Sequence, residues 1–336
     1  MNKPIITVLL PVYNGEKYIK EAIESILNQK FTNFELLIID DCSTDRSGRI
    51  IQDFKDPRIR FFSNKNNLGL IKTLNTGISL AQGEYIARMD QDDVSLPHRL
   101  EKQIAFLDAH SEIGVCGTGF RIIDQEGTLK NEIHFPNRPL LFSWKLHFFS
   151  PLAHPTVMMR TSLVKEMGGY NTKATYYEDY DLWIRLNSIT KLTNLDDILF
   201  HLRKHDENTS QIHLDQQVNS SIKLCRELIS KTLNNYVSID IVRQLYLKNA
   251  SDVNSVIQIN KIICKLYKAF IQTNKVGKND LKLIKSDVAL RLFILSVRFW
   301  YNTRIWKIFY TIIIFDPWFV LKGTKYLFMK LSNNRY

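Results

Sequence analysis

The sequence predicts an α/β protein, built as a mostly parallel sheet flanked by helices and followed by a helical C-terminal extension. Three observations carry this reading. Apolar runs of strand length alternate with segments of helical periodicity through residue 210. The acidic and amide residues of that stretch gather just after the strand-like runs, where open α/β sheets bind ligands. The charge is also uneven: residues 211–336 hold 20 Lys/Arg against 7 Asp/Glu, whereas 1–210 hold 25 against 27, within a net charge of +11. Residues 1–210 are therefore read as one α/β domain and 211–336 as a basic, mainly helical region.

Ile5 to Val12 is a nearly unbroken apolar run closed by Pro11-Val12-Tyr13-Asn14-Gly15, the pattern of a strand buried on both faces that ends in a turn. Ile19, Ala22, Ile23, Ile26 and Leu27 then recur at helical spacing between Glu16 and Gln29, and Phe34 to Ile39 repeats the buried-strand pattern. Asp40 to Asp45 supplies capping residues for a helix reaching about Phe54, and Ile59 to Phe62 is a third strand. Leu70 to Ala81 reads as helix, Gly83 stops it, and Tyr85 to Met89 is a strand running into Asp90-Gln91-Asp92-Asp93. Val115 to Ile123 is β-like, His154 to Arg160 a further strand, Gly168-Gly169-Tyr170 a turn, and Glu178 opens a helix with Leu182, Trp183 and Leu186 on its buried side.

A chain with 45% hydrophobic and 24% charged residues is an ordinary folded protein. Its four cysteines, Cys42, Cys116, Cys225 and Cys264, stand far apart, which argues against a disulfide framework or a zinc knuckle. The N-terminal run is too short for a signal h-region. The most apolar stretch, Ile308 to Val320, is interrupted by Asp316 and Pro317, so no bilayer span is expected. No Walker sequence occurs, and no GxGxxG follows the first strand.

Asp90, Asp92 and Asp93 crowd three like charges behind a buried strand, an arrangement that a cation relieves. Hard oxygen ligands suit Mn²⁺ or Mg²⁺ on a diphosphate. That chemistry alone leaves open a nucleotidyltransferase, a phosphatase or a sugar transferase. Five motifs narrow it: Val8-Leu9-Leu10-Pro11-Val12-Tyr13-Asn14, Ile38-Ile39-Asp40-Asp41-Cys42-Ser43-Thr44-Asp45, Asn67-Leu68-Gly69-Leu70, Gly83 through Asp93, and Glu178-Asp179-Tyr180-Asp181-Leu182-Trp183. Together and in this order they resemble the family 2 glycosyltransferases of GT-A (Rossmann-like) fold. They are most similar to the bacterial polysaccharide and lipo-oligosaccharide β-1,3-N-acetylglucosaminyl- or galactosyltransferases.

The resemblance implies a GT-A catalytic domain over 1–210. Pro11, Tyr13 and Asn67 would contact the donor nucleotide, and Asp41 would accept from the uracil N3–H, a pairing that cytosine's bare N3 cannot make. Asp90 would approach ribose or metal, and Asp92 would ligate the metal. Asp179 is the expected general base, with Glu178 and Asp181 supporting it, since transfer needs one base for the acceptor hydroxyl and one Lewis acid for the departing diphosphate. Acids at a helix N-terminus are also favoured by the helix dipole alone. Arg203 and His205, from His201 to Ser210, are expected on the diphosphate. Where many relatives have an arginine before the asparagine matching Asn75, this chain has Leu74, so Arg88 or Lys72 would compensate. Unassisted in-line displacement makes the enzyme inverting. Trp144 is a candidate platform for an acceptor sugar, although aromatics at this density are more often core.

Arg291 to Tyr336 interleaves Phe293, Phe299, Trp300, Trp306, Phe309, Tyr310, Trp318 and Phe319 with Arg291, Arg298, Arg304, Lys307, Lys322, Lys325 and Lys330. Such a surface suits an anionic membrane, or else a helical subdomain docking its aromatics on the core. Nucleic acid ranks lower, because no binding motif accompanies the charge. The expectation is a metal-dependent transferase moving a sugar from a UDP-sugar (GlcNAc, Gal or Glc) to a saccharide or lipid-linked oligosaccharide acceptor. It would act in capsule, O-antigen or exopolysaccharide biosynthesis, as a cytoplasmic protein peripheral on the inner face of the plasma membrane. The alternative is an inactive nucleotide-sugar-binding homologue or a membrane-bound scaffold.

Overall fold

The computed structural model describes residues 3–206, 208 and 212–317. Among them, residues up to Phe142 together with Ser150–Val218 form one compact unit. Ser143–Phe149 with the described residues from Asn219 onward form a second.

The first unit follows the alternation read from the sequence. Its elements are β1 (Ile6–Val12), α1 (Ile19–Leu27), β2 (Phe34–Asp40), α2 (Ser47–Asp53), β3 (Ile59–Ser63), α3 (Leu70–Leu80) and β4 (Tyr85–Arg88). There follow β5 (Val94–Ser95), α4 (Arg99–Ala109), β6 (Ile113–Ile123), β7 (Leu129–Ile133) and α5 (Pro139–Lys145), the last running into the second unit. β8 (Met158–Arg160), α6 (Thr161–Glu166), α7 (Glu178–Leu186) and β9 (Lys191–Arg203) complete it. In the described residues nine strands make one sheet in the order β3-β2-β1-β4-β8-β6-β9-β5, with β7 paired to β6.

β3, β2, β1 and β4 are mutually parallel, as the alternation requires. Beyond them the sheet becomes mixed: β8 pairs antiparallel with both β4 and β6, while β6 and β9 are parallel. The segment expected as a strand from His154 starts as a single 3₁₀ turn, His154–Thr156, with Pro155 inside it, and extends only from Met158.

Every residue of β1 and of β2 is buried, which is why both read as continuous apolar runs rather than alternating ones. α1 covers them with Ile19, Ala22, Ile23 and Ile26, one helical stripe, each isoleucine stabilising by about 1.5–3 kcal/mol on burial. Gly83 is required before β4, because a Cβ there would lie 2.4 Å from the Thr7 backbone nitrogen. Leu74 is fully buried and is part of the core.

The second unit contains the helices α8 (Leu214–Leu233, which begins in the first unit), α9 (Ile239–Tyr246), α10 (Val253–Thr273), α11 (Lys278–Ser296) and α12 (Trp306–Phe315). α10 is capped by Asp252, which accepts from Ser255 N at 2.9 Å, and buries Val256, Ile259, Ile263, Leu266 and Phe270 along one face. Within this unit Trp144 is fully buried, edge-on to Phe270 at 5.5 Å, and its indole N–H donates to Asp287 at 2.7 Å. Burial alone would raise Asp287, but Arg291 and Lys145, both ion-paired to it, hold its carboxyl below the ordinary range. Trp144 is therefore a core anchor and not a sugar platform.

α12 buries Ile308 and Ile312 and leaves Trp306, Tyr310, Ile313 and Ile314 exposed, beside exposed Trp300 and Tyr301. Trp318, Phe319, Lys322, Lys325 and Lys330 lie outside the described residues. Among the described residues no helix is long and apolar enough to cross a membrane.

Candidate functional site

The carboxyl ends of β1, β2 and β4 open into a cleft of about 1230 Å³. Pro11, Tyr13, Asp41, Asn67, Arg88, Asp90, Asp92, Asp179, Arg203 and His205 line it, as do Lys72 and Glu178, whereas Asp181 pairs with Arg185 at 2.8 Å and is not in the lining. Parallel register explains the convergence, since Val12 pairs with Asp40 and the Asp41 N–H then donates to the Val12 carbonyl at 2.7 Å.

On one side of the cleft, Tyr13 is 46% exposed and its backbone is gripped at both polar groups by one side chain. Its N–H donates to Gln91 Oε1 at 2.8 Å and its carbonyl accepts from Gln91 Nε2 at 3.0 Å. A Cβ on Gly15 would sit 2.6 Å from that amide, so the glycine makes room for the grip. Asp41 is buried and organises the loop before α3: Oδ1 accepts from Asn64 Nδ2 and Leu68 N, and Oδ2 from Gly69 N, all at 2.8–2.9 Å. Asn67 is exposed within that loop. Asp41 is thus held in place by its neighbours while Oδ2 carries a single protein donor.

The acidic loop lies between β4 and β5. Carboxylate oxygens of Asp90, Asp92 and Asp93 all fall within 4.8 Å of one another. Burial, and then the neighbouring charges of Asp92 and Asp90, push Asp93 well above the usual carboxylate range. Asp90 is also raised by burial, although buried Arg88 is ion-paired with it. Asp92 Oδ2 meets His205 Nε2 and Asn208 Nδ2, each at 2.9 Å, and Asn208 Oδ1 accepts from the His205 N–H at 2.6 Å.

Arg203 is already engaged by protein groups. It is 2% exposed, and each of its three side-chain nitrogens donates to protein: Nε to the Asp92 carbonyl, Nη1 to the Asp124 and Gln125 carbonyls, and Nη2 to Glu21 at 2.6 Å. Its backbone N–H donates to Asp93 at 2.8 Å, and its guanidinium lies 4.6 Å from the Tyr18 ring centre. Arg203, which also lines the cleft, thereby ties the acidic loop to Glu21 and to the turn at Asp124–Gln125. Arg203→Met should lower unfolding stability by about 2 kcal/mol in a denaturant titration, because the Asp92, Asp124 and Gln125 carbonyls and the Glu21 carboxylate lose their donor. Unchanged stability would disprove the fastening role.

Across the cleft, Glu178 and Asp179 begin α7, and Asp179 Oδ1 accepts from Tyr180 N at 2.7 Å. Burial raises both carboxyls, Asp179 to about 6, and the Asp179 charge adds to the effect on Glu178. Beside them, burial and then the charge of Arg88 hold the His154 ring well below its ordinary range, hence neutral, against Tyr170 Oη at 2.7 Å. Asn75 fixes the approach to α7 by pairing with both backbone groups of Tyr170 at 2.8 Å. His98, His110 and His134 are exposed, consistent with surface residues.

Sequence reasoning did not single out Gln91, Asn208, Asn75 or His154 as partners of this machinery. Gln91 stands between two acids and Asn208 three residues after His205, so proximity to a motif was the signal available.

The model of glycosyl transferase family 2 matches residues 7–168. An uncharacterized glycosyltransferase of Haemophilus influenzae is 31% identical over 286 residues, covering 82% of this chain and 88% of the relative. The O-antigen biosynthesis glycosyltransferase WbnJ of Escherichia coli is 33% identical, covering 70% and 93%. Among solved structures, S. aureus TarS 1–349 in complex with UDP-GlcNAc superposes with a TM-score of 0.56 at 21% identity, covering 87% of each chain.

Proposed function

Since the chain belongs to glycosyl transferase family 2 and is a glycosyltransferase of GT-A fold, we propose that it transfers a hexose from a UDP-sugar to a saccharide acceptor, with inversion, in bacterial surface-polysaccharide biosynthesis. The observation that carries this reading is the cleft that joins Asp90, Asp92 and Asp93 with Glu178 and Asp179.

In this reading Tyr13, held by Gln91, and Pro11 and Asn67 receive the nucleoside, and Asp41 Oδ2 accepts the uracil N3–H. Three crowded carboxylates whose mutual repulsion and burial raise two of them fit a hard divalent cation. Asp92 and Asp90 would hold it, and when bound, Mn²⁺ or Mg²⁺ supplies positive charge to the departing diphosphate. His205 and Asn208 orient Asp92, and Arg203 holds the loop. Arg88 keeps Asp90 in position and, with its buried Nε unpartnered among the described residues, has a donor left for the sugar diphosphate. Asp179 removes the acceptor hydroxyl proton as that oxygen attacks the anomeric carbon from the face opposite UDP. Configuration therefore inverts, and an α-linked donor yields a β-linkage.

The test is UDP release with Mn²⁺ over UDP-GlcNAc, UDP-Gal and UDP-Glc, followed by the anomeric coupling constant of the product. Turnover of one donor to a β-linked product is expected. An α-linked product would exclude inversion, and no binding of any UDP-sugar would exclude the donor class.

The acceptor in this reading is carried on a lipid, and the enzyme is peripheral on the inner face of the plasma membrane. Exposed Trp300, Tyr301, Trp306 and Tyr310 beside exposed Arg298, Arg304 and Lys307 support contact with an anionic bilayer. Trp306→Glu with Tyr310→Glu should abolish co-flotation with phosphatidylglycerol vesicles. Equal flotation of the variant would refute the contact.

A further inference from the structure

Five non-glycine residues among those described have positive φ, and two of them, Asn234 and Lys248, sit just past the ends of α8 and α9, where helices commonly close in this way. Tyr176 does not. Its φ of 70° falls immediately before α7, in a turn closed by Ala174 N donating to Asn171 O at 2.9 Å and Tyr177 N donating to Ala174 O at 3.1 Å. A bulky aromatic in the left-handed region is strained, and such strain persists only where the surroundings enforce it. Here the result is a ring that lines the cleft two residues before Glu178 and stacks on His213, with centroids 4.2 Å apart and planes 23° from parallel. Both rings remain partly exposed.

We propose that Tyr176 and His213 form a stacking subsite for the pyranose ring of the acceptor, a role that rests on the transfer reading above. A base at Asp179 must touch the acceptor hydroxyl, so the acceptor ring lies in the cleft beside Asp179, a cleft whose lining includes Tyr176 three residues before it. The C–H face of a pyranose packs on an aromatic face, while its equatorial hydroxyls need polar partners. Thr172, Thr175 and Gln217 line the same cleft and offer them. A rigid stacked pair loses little side-chain freedom on binding, which favours it as a platform.

The experiment is saturation-transfer NMR and titration of methyl β-D-glucopyranoside, methyl β-D-galactopyranoside and methyl N-acetyl-β-D-glucosaminide against the full chain with UDP and Mn²⁺ present. At least one pyranoside should bind, about tenfold more weakly to Tyr176→Ala and within about twofold of the unaltered chain for Tyr176→Phe, with UDP affinity unchanged in both. Equal binding by Tyr176→Ala overturns the subsite. So does an equal loss in Tyr176→Phe, which would assign the effect to the hydroxyl, or a fall in UDP affinity, which would assign the ring to the donor. A chain that binds UDP but none of the three pyranosides overturns the subsite alone, whereas a chain that fails to bind UDP overturns the transfer reading as well.

Discussion

Asp179→Asn is expected to lower turnover by about 10²–10⁴-fold while UDP affinity stays unchanged, because the amide keeps the shape of the carboxylate but cannot accept the acceptor proton. The pH dependence gives an independent check. A base at Asp179 would work only when ionised, and burial raises its carboxyl to about 6, so under the proposed role the acid limb of the kcat profile should lie near that pH and activity should rise as pH climbs through it. Stability should move the opposite way. A carboxyl whose folded-state value is raised costs no stability at low pH, and the penalty grows as pH passes from its unfolded value to its folded one. At neutral pH the full penalty is present, and the neutral asparagine removes it, which should stabilise the folded chain by on the order of 2 kcal/mol. A variant that is both more stable and nearly inactive is the signature of a base. Retention of turnover, or equal losses in turnover and stability, would remove Asp179 from that role.

The second large effect is expected at Asp92. Chelation with EDTA should abolish turnover and readdition of Mn²⁺ or Mg²⁺ should restore it, while Asp92→Asn should lower it by about 10³-fold even in excess metal, consistent with several kcal/mol of leaving-group stabilisation. Asparagine preserves an oxygen for His205 and Asn208, so the loop should remain folded. The thermal midpoint of the unaltered chain should rise with added Mn²⁺ and that of the variant should not. Turnover insensitive to EDTA would exclude the metal reading.

What could be read from the sequence follows from what each signal physically encodes. Buried parallel strands are predominantly apolar, so β1, β2 and β4 announce themselves, and the polar residues behind them fall on one rim because parallel strands end together. Asp41 and Asp92 were legible for that reason, whereas Asp179 was legible only through the Glu178-Asp179 motif that opens α7. Arg203 was legible as a cleft residue but its protein partners were not, since the carbonyls of Asp92, Asp124 and Gln125 that take its donors come from loops whose approach only the fold determines. Trp144 was ambiguous because a buried and a ligand-stacking tryptophan have the same local pattern, and its decisive partner, Asp287, is 143 residues away. The left-handed backbone at Tyr176 carried no warning, because glycine or asparagine is the usual marker of that conformation.

The seven residues Ser143–Phe149 belong to the second unit although the chain on either side belongs to the first, so the backbone passes between the units at 142, 149 and 218 rather than once. A stop codon at 210, where the charge pattern suggests a boundary, would remove Asp287, Arg291 and Phe270 and leave Trp144 and Lys145 without the partners that bury and neutralise them. The C-terminal region is thus not a detachable appendage in the genetic sense. Gene fusions, domain exchanges and library truncations that treat it as one strip the partners from Trp144 and Lys145, so recombinants should carry residues 143–149 together with Phe270, Asp287 and Arg291.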